Sequence, residues 1–126
     1  MLRKCIIVLV LGLLIAAPAS SRKYKDEDTM LVSPAMFVLE YSGTRLSIHT
    51  EVPALDVDRT ILELYGVGDI PITPVYVKRD NRGNLVVKFA ADDVRTIVAP
   101  PRTELTLTGL YEDGGSFSLT ATIRVR

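Results

Sequence analysis

Thr103–Arg126 reads TELTLTGLYEDGGSFSLTATIRVR, and it decides the fold class. In its second half, Phe117, Leu119, Ala121, Ile123 and Val125 alternate with Ser118, Thr120, Thr122, Arg124 and Arg126. A period of two places one set on each face of an extended chain, the mark of a half-buried strand. Thr103–Tyr111 is a second clear strand. Between them, Glu112-Asp113-Gly114-Gly115-Ser116 is a hairpin turn, because Asp-Gly and Gly-Gly tolerate positive φ.

The same alternation extends toward the N-terminus. Ala91–Val98 fits one short helix, beginning at Ala91 or Asp92, with Val94, Ile97 and Val98 facing inward and Pro100-Pro101 stopping it. Val75–Lys78 and Leu85–Phe89 are strands on either side of KRDNRGNL, Lys78–Leu85. Thr60–Tyr65 is a strand broken by Gly66, Gly68 and Asp69. Pro71 and Pro74 cannot donate ladder hydrogen bonds, so Ile70–Pro74 belongs at a sheet edge or a crossing between sheets. Leu55–Thr60 reads as a polar interruption, a turn or one helical turn. In Thr44–Val52, Leu46, Ile48, Thr50 and Val52 share one face, and Arg45, Ser47, His49 and Glu51 the other; Tyr41–Thr44 is the turn before it. Short strands at this spacing predict an all-β fold, an immunoglobulin-like antiparallel β-sandwich of about seven strands with one short helix, over residues 36–126. A five-stranded barrel is the alternative.

The first residues read MLRKCIIVLVLGLLIAAPASS. Arg3 and Lys4 precede an apolar run from Cys5 to Ala17, and Ala17-Pro18-Ala19 offers small residues to a signal peptidase. Residues 1–19 are therefore expected to be a secretory signal, since a membrane span needs roughly 20 apolar residues. Residues 20–35, opening SSRKYKDEDT, read as a flexible leader. Cleavage after Ala19 removes Cys5, the one cysteine, which excludes disulfides, thiolate metal sites and a Cys nucleophile. It also removes two of the 15 basic residues, leaving 13 against 15 acidic. A chain with no basic excess is not expected to bind nucleic acid. The expected location is secreted or periplasmic, with no membrane span once the signal is gone.

KRDNRGNL holds an Asp, two Asn and a Gly, the ingredients of a calcium loop. Such a loop surrounds one hard cation with several carboxylates and carbonyls. Here Asp80 is the sole acid, and Lys78, Arg79 and Arg82 would repel the ion. Asn81, Gly83 and Asn84 suit a turn, so a hairpin is the expected reading. His49 is the single histidine and faces outward, without the partners a triad or zinc site needs. Asp56 and Asp58, or Asp92 and Asp93, could hold a metal or act as acid and base. Turn hydrogen bonds and a helix start are their simpler roles. Tyr24, Tyr41, Tyr65, Tyr76 and Tyr111 could serve protein or sugar contacts, but the absence of Trp weakens a sugar platform. No catalytic, cofactor or metal residues are assigned.

The order LDVDRTILEL, NLVVKFAADDVRTIV, ELTLTGLYEDGGSF, TIRVR resembles a group of secreted bacterial and archaeal immunoglobulin-like domains. In that group D-V-x-x-T-I-x-L precedes D-L-x-V-K-F, followed by a short helix, E-L-T-x-T-G, D-G-x-x-F and a closing I-R-V strand. The matching positions are Asp56–Leu64, Leu85–Phe89, Glu104–Gly109, Asp113–Phe117 and Ile123–Val125. The likeness covers Thr44 to Arg126 and implies a fold rather than an activity. Members often carry an acidic run before D-L-x-V-K-F. Here that run is Lys78–Gly83, with Asn84 in place of the Asp, so the resemblance implies that any calcium site is lost.

These readings make the protein an exported, non-enzymatic binding or structural module whose partner is an extracellular or envelope protein. The candidate contacts are Arg79, Asp80, Asn81, Arg82 and Asn84 in one turn, Glu112 and Asp113 in another, and the edge at Ile70–Pro74, since open edges accept partner strands. A carbohydrate-binding or adhesion module with a polysaccharide partner is the alternative. A hydrolase is the remotest reading, for want of a nucleophile–base–orienter set.

Overall fold

The computed structural model describes residues 30–40 and 43–126. Residues 1–19, read as a secretory signal, residues 20–29 of the stretch read as a leader, and Tyr41-Ser42 of the first expected turn lie outside the described residues. Among the described residues, eight strands form two four-stranded sheets. They are β1 (Met30–Ser33), β2 (Met36–Phe37), β3 (Arg45–Pro53), β4 (Val57–Tyr65), β5 (Tyr76–Arg79), β6 (Asn84–Ala90), β7 (Arg102–Tyr111) and β8 (Ser116–Val125). Sheet I has the order β1-β3-β6-β5 and sheet II the order β2-β8-β7-β4. All pairs are antiparallel except β2 with β8. The fold is thus an all-β sandwich, and two separate sheets replace the alternative of a closed barrel.

The alternation read from sequence becomes the core. On β3, Leu46, Ile48, Thr50 and Val52 are buried while Arg45, His49 and Glu51 are exposed. Leu85, Val87 and Phe89 of β6 join them from the same sheet. Leu62, Leu64, Leu105, Leu107, Leu119, Ile123 and Val125 face them from sheet II. Burying each such side chain stabilises by about 1.5–3 kcal/mol. That burial replaces the disulfides the chain from Ser20 onward cannot make. Val86 departs from simple alternation. It is buried on the outer face, because β6 is central and its cross-strand neighbours there are His49 and Lys78.

Three boundaries differ from expectation. Met30–Ser33 falls in the stretch read as leader, yet it is strand β1, paired with β3 from Met30↔Thr50 to Ser33↔Ser47. Four residues beside a charged segment carry too little alternation to be seen, and it is the open edge of β3 that makes them a strand. β4 begins at Val57, so the polar stretch 55–60 is a three-residue 3₁₀ turn, Ala54–Asp56, followed directly by strand. Asp58, Arg59 and Thr60 lie where the β4–β7 register shifts, which is why they read as loop. The helix is α1 (Ala91–Val94), tightening to a 3₁₀ turn over Arg95–Ile97. Val94, Ile97 and Val98 are buried, as the spacing predicts.

Two buried hydroxyls satisfy backbone groups that the sheets leave over. The β3–β6 register shifts between His49 and Pro53. There the Thr50 hydroxyl donates to the Leu85 carbonyl (2.9 Å) and accepts from the Val52 N–H (3.1 Å). At the other end of the sandwich, Thr103 Oγ1 accepts from the Ala99 N–H (2.8 Å) and donates to the Ala99 carbonyl (2.9 Å). Buried polar groups without partners cost about 1–3 kcal/mol. Thr50→Val keeps the shape and removes both bonds, so urea denaturation of this variant is expected to show a loss of about 2 kcal/mol. A loss below about 0.5 kcal/mol would mean the hydroxyl is dispensable.

Candidate functional site

Three turns meet at one end of the sandwich. In the first, between β5 and β6, the Gly83 N–H donates to the Asp80 carbonyl (3.0 Å) and the Asp80 N–H to the Asn84 carbonyl (2.9 Å), with Gly83 at φ 86°. The second, between β7 and β8, repeats this geometry. The Gly114 N–H donates to the Tyr111 carbonyl (3.0 Å) and the Tyr111 N–H to the Gly115 carbonyl (2.7 Å), with Gly114 at φ 100°. Both are three-residue hairpin loops closed by a left-handed glycine. KRDNRGNL is therefore a hairpin turn.

The third turn, Ala54–Asp56, carries the chain from sheet I to sheet II and touches both hairpins. The Ala54 N–H donates to the Gly83 carbonyl (2.9 Å), and the Glu112 N–H to the Asp56 carbonyl (2.8 Å). Arg79, Asp80, Asn81, Arg82 and Asn84 are thereby brought to the same end as Glu112 and Asp113. A groove of about 180 Å³ lies between Pro53, Leu55, Asp56, Tyr111, Glu112 and Asp113. Leu55, hidden within the stretch read as polar, stands 72% exposed at the rim. A second groove of about 390 Å³ is lined by Met30, Leu31, His49, Thr50, Glu51, Asp80 and Arg82.

The charged side chains of this end are held in two ways. Asp80 Oδ1 accepts the N–H groups of Arg82 (2.8 Å) and Asn84 (3.0 Å). The bond from Asn84, aided by that from Arg82 and by the Arg82 and His49 charges, holds its carboxyl below the usual value of 3.8 against some desolvation. Its Oδ1 is committed to its own turn. Asp113 Oδ1 likewise accepts the Gly115 N–H (2.9 Å). Glu51 approaches Arg82 (3.5 Å) and Asn84 Nδ2 (3.4 Å) on the surface, pairs worth little in solvent.

The other candidates are dispersed. Ile70–Pro74 lies at the opposite end, where Ile72 and Leu64 exchange two backbone hydrogen bonds of 2.9 Å. Ile72 thus bridges to the edge of β4, which places Ile70–Pro74 at a sheet edge as its prolines suggested. Asp58 accepts from the Thr60 hydroxyl (2.6 Å) and N–H (3.0 Å), which lower its pKa. Asp92 pairs with Arg95. Tyr65 donates to Glu63 (3.0 Å), Tyr76 lies beneath the Arg45 guanidinium (5.7 Å), and Tyr111 packs on Phe117 (5.4 Å between ring centres). These three rings sit in different regions and form no common platform. Among the described residues no cluster of three or more His, Cys, Asp or Glu is placed to hold a metal. No helix among them is long and apolar enough to cross a membrane.

What the fold and site define is an all-β sandwich with a turn-built, exposed end. No family model matches the chain, and no curated protein matches it. Among solved structures, CopC from Methylosinus trichosporium OB3b is similar at 13% identity and a TM-score of 0.44, over 77% of this chain and 91% of that one.

The turn geometry has two measurable consequences. A Cβ at Gly114 meets nothing within 4 Å, so Gly114→Ala costs the left-handed backbone alone, about 1–2 kcal/mol in urea denaturation. Asp80→Asn keeps an acceptor oxygen and removes the charge. Because the folded-state pKa of Asp80 is depressed, the charge stabilises the fold fully above the unfolded value and loses that effect as pH falls through the folded one. Wild type should be the more stable at pH 6, with the gap to Asp80→Asn closing below about pH 4. A gap that stays constant with pH would contradict this account.

Proposed function

We propose that the chain is an exported, non-enzymatic module of immunoglobulin-like type that binds an extracellular or envelope protein through its turn end. The secretory reading of residues 1–19 supports export to a secreted or periplasmic location. The observation that carries the binding reading is Leu55. A large apolar side chain, 72% exposed, sits on a turn fixed to both neighbouring hairpins by backbone hydrogen bonds. Asp56, Glu112 and Asp113 line the groove beside it, and Asn81 and Arg82 belong to the hairpin whose Gly83 carbonyl accepts from Ala54. An apolar anchor within a polar rim is the usual anatomy of a protein-binding patch. Backbone already fixed before binding loses little entropy on association. Arg79, Asp80, Asn81, Arg82, Asn84, Glu112 and Asp113 then act as rim and frame, with Asp80 and Asp113 shaping the turns.

A carbohydrate-binding or adhesion role has one observation in its favour. The outer face of sheet II pairs Thr106 with Thr120 and Thr108 with Ser118, a hydroxyl-rich surface beside Glu63 and Tyr65. Affinity capture separates the two readings. The chain from Ser20 to Arg126 is immobilised and exposed to the source's envelope and secreted fractions, beside its Leu55→Asp variant. One stoichiometric protein partner, held at least tenfold more weakly by Leu55→Asp, is the expected result, since anchor residues cost more than 1 kcal/mol when lost. Enrichment of polysaccharide alone, or a partner indifferent to Leu55→Asp, would overturn the turn-end reading.

A further inference from the structure

The end of the sandwich away from the three turns carries a group of charges that the binding reading does not use. Arg102 opens β7 and lies directly opposite Arg124 of β8 in the ladder. Arg126 follows two residues later, on the same side of the strand. All three are exposed. Together with Met36, Pro101 and Val125 they line a groove of about 310 Å³. The backbone beneath is firmly placed. The Arg124 N–H donates to Ala35 (3.2 Å), the Val125 N–H to Pro101 (2.8 Å) and the Arg126 N–H to Phe37 (2.9 Å).

Like charges directly opposite on a sheet destabilise it. Among the described residues no ion pair offsets that cost: the pairs are Arg82–Glu51 and Arg95–Asp92, and neither involves these arginines. Glu104, the next residue of β7 on that face, stands opposite Thr122 and makes no ion pair with them. Three arginines lining one groove that holds no acidic side chain is an arrangement that a bound anion relieves.

The chemistry of the donors selects the anion. Each guanidinium offers a planar fork that grips two oxygens at once. A carboxylate presents one such pair and one charge, enough for a single arginine. A phosphate group presents several oxygen pairs and up to two charges, so adjacent guanidiniums can hold it together. We propose that Arg102, Arg124 and Arg126 form a phosphate-binding site, independent of the turn end. A soluble phosphate ester and a lipid headgroup both carry such a group, and the chemistry of recognition is the same for both.

The test uses the full chain from Ser20, with inorganic phosphate as probe and acetate as the competing anion at matched ionic strength. Phosphate is expected to shift the guanidinium NMR signals of the three arginines saturably, at least tenfold more tightly than acetate. Arg102→Gln and Arg124→Gln should each weaken it at least tenfold. Without phosphate, either substitution should raise Tm, because it removes the opposed charge. With phosphate, Tm of the wild type should rise by linkage and that of the variants should not. Vesicles of phosphatidylcholine with and without phosphatidic acid then assign the source. Sedimentation with the acidic vesicles that both substitutions abolish assigns the headgroup, and saturable phosphate binding without sedimentation assigns a soluble ester. Signals that do not saturate, acetate binding as tight as phosphate, or variants that bind like the wild type would overturn the site. Leu55→Asp should leave phosphate binding unchanged, so failure here is separable from failure of the turn-end reading.

Discussion

Two backbone hydrogen bonds join the turns at one end of this sandwich. One runs from Ala54 to Gly83 and the other from Glu112 to Asp56. Between them the chain leaves sheet I and enters sheet II within the three residues Ala54–Asp56. Without that clamp, two hairpins from two different sheets would be separate loops. With it they become one surface, and Leu55 is lifted onto its rim. Every feature of the turn end, from the groove beside Tyr111 to the spacing of Asp80 and Asp113, depends on this short crossing.

The clamp is supported from below by apolar burial and from within by repeated turn chemistry. Val52, Ala54 and Val57 are buried on either side of the crossing, so the turn cannot swing outward without exposing core. Gly83 and Gly114 adopt the same left-handed geometry, and an Asp carboxylate ties down N–H groups in each hairpin. Charge is distributed in keeping with these constraints. Carboxylates at the turn end are used in turns or stand at the rim. At the far end Arg102, Arg124 and Arg126 line one groove, and none of them makes an ion pair among the described residues.

Much of the scaffold was legible from residue pattern, because period-two alternation records which face of a strand is wet. β3, β7 and β8 carry that record over nine or ten residues each, and the Asp-Gly and Gly-Gly turn fixes how the last two pair. The elements that escaped are those made by their neighbours. β1 is a four-residue strand defined by the edge it covers. The first residues of β4 are exposed where the ladder is irregular. Edge capping by Ile72 required knowing that the chain folds back at Leu64. The turn residues were singled out correctly as turn residues, but their meeting at one end follows from topology that no local pattern encodes. Leu55 was overlooked because its neighbours are polar. The opposed arginines had a usable signal: stepping back nine residues along each strand from Tyr111 and Gly115 sets Arg102 against Arg124.

The central claim is that the turn end is fixed before any partner arrives, and amide hydrogen exchange on the free protein tests it most directly. The N–H groups of Ala54 and Glu112 report on the two clamping bonds one at a time. The account predicts that both exchange slowly, with protection approaching that of core amides such as Val87 and Leu107. Exchange of either amide at the rate of an exposed loop would contradict it, because the two hairpins would then move independently and Leu55 would have no fixed surroundings.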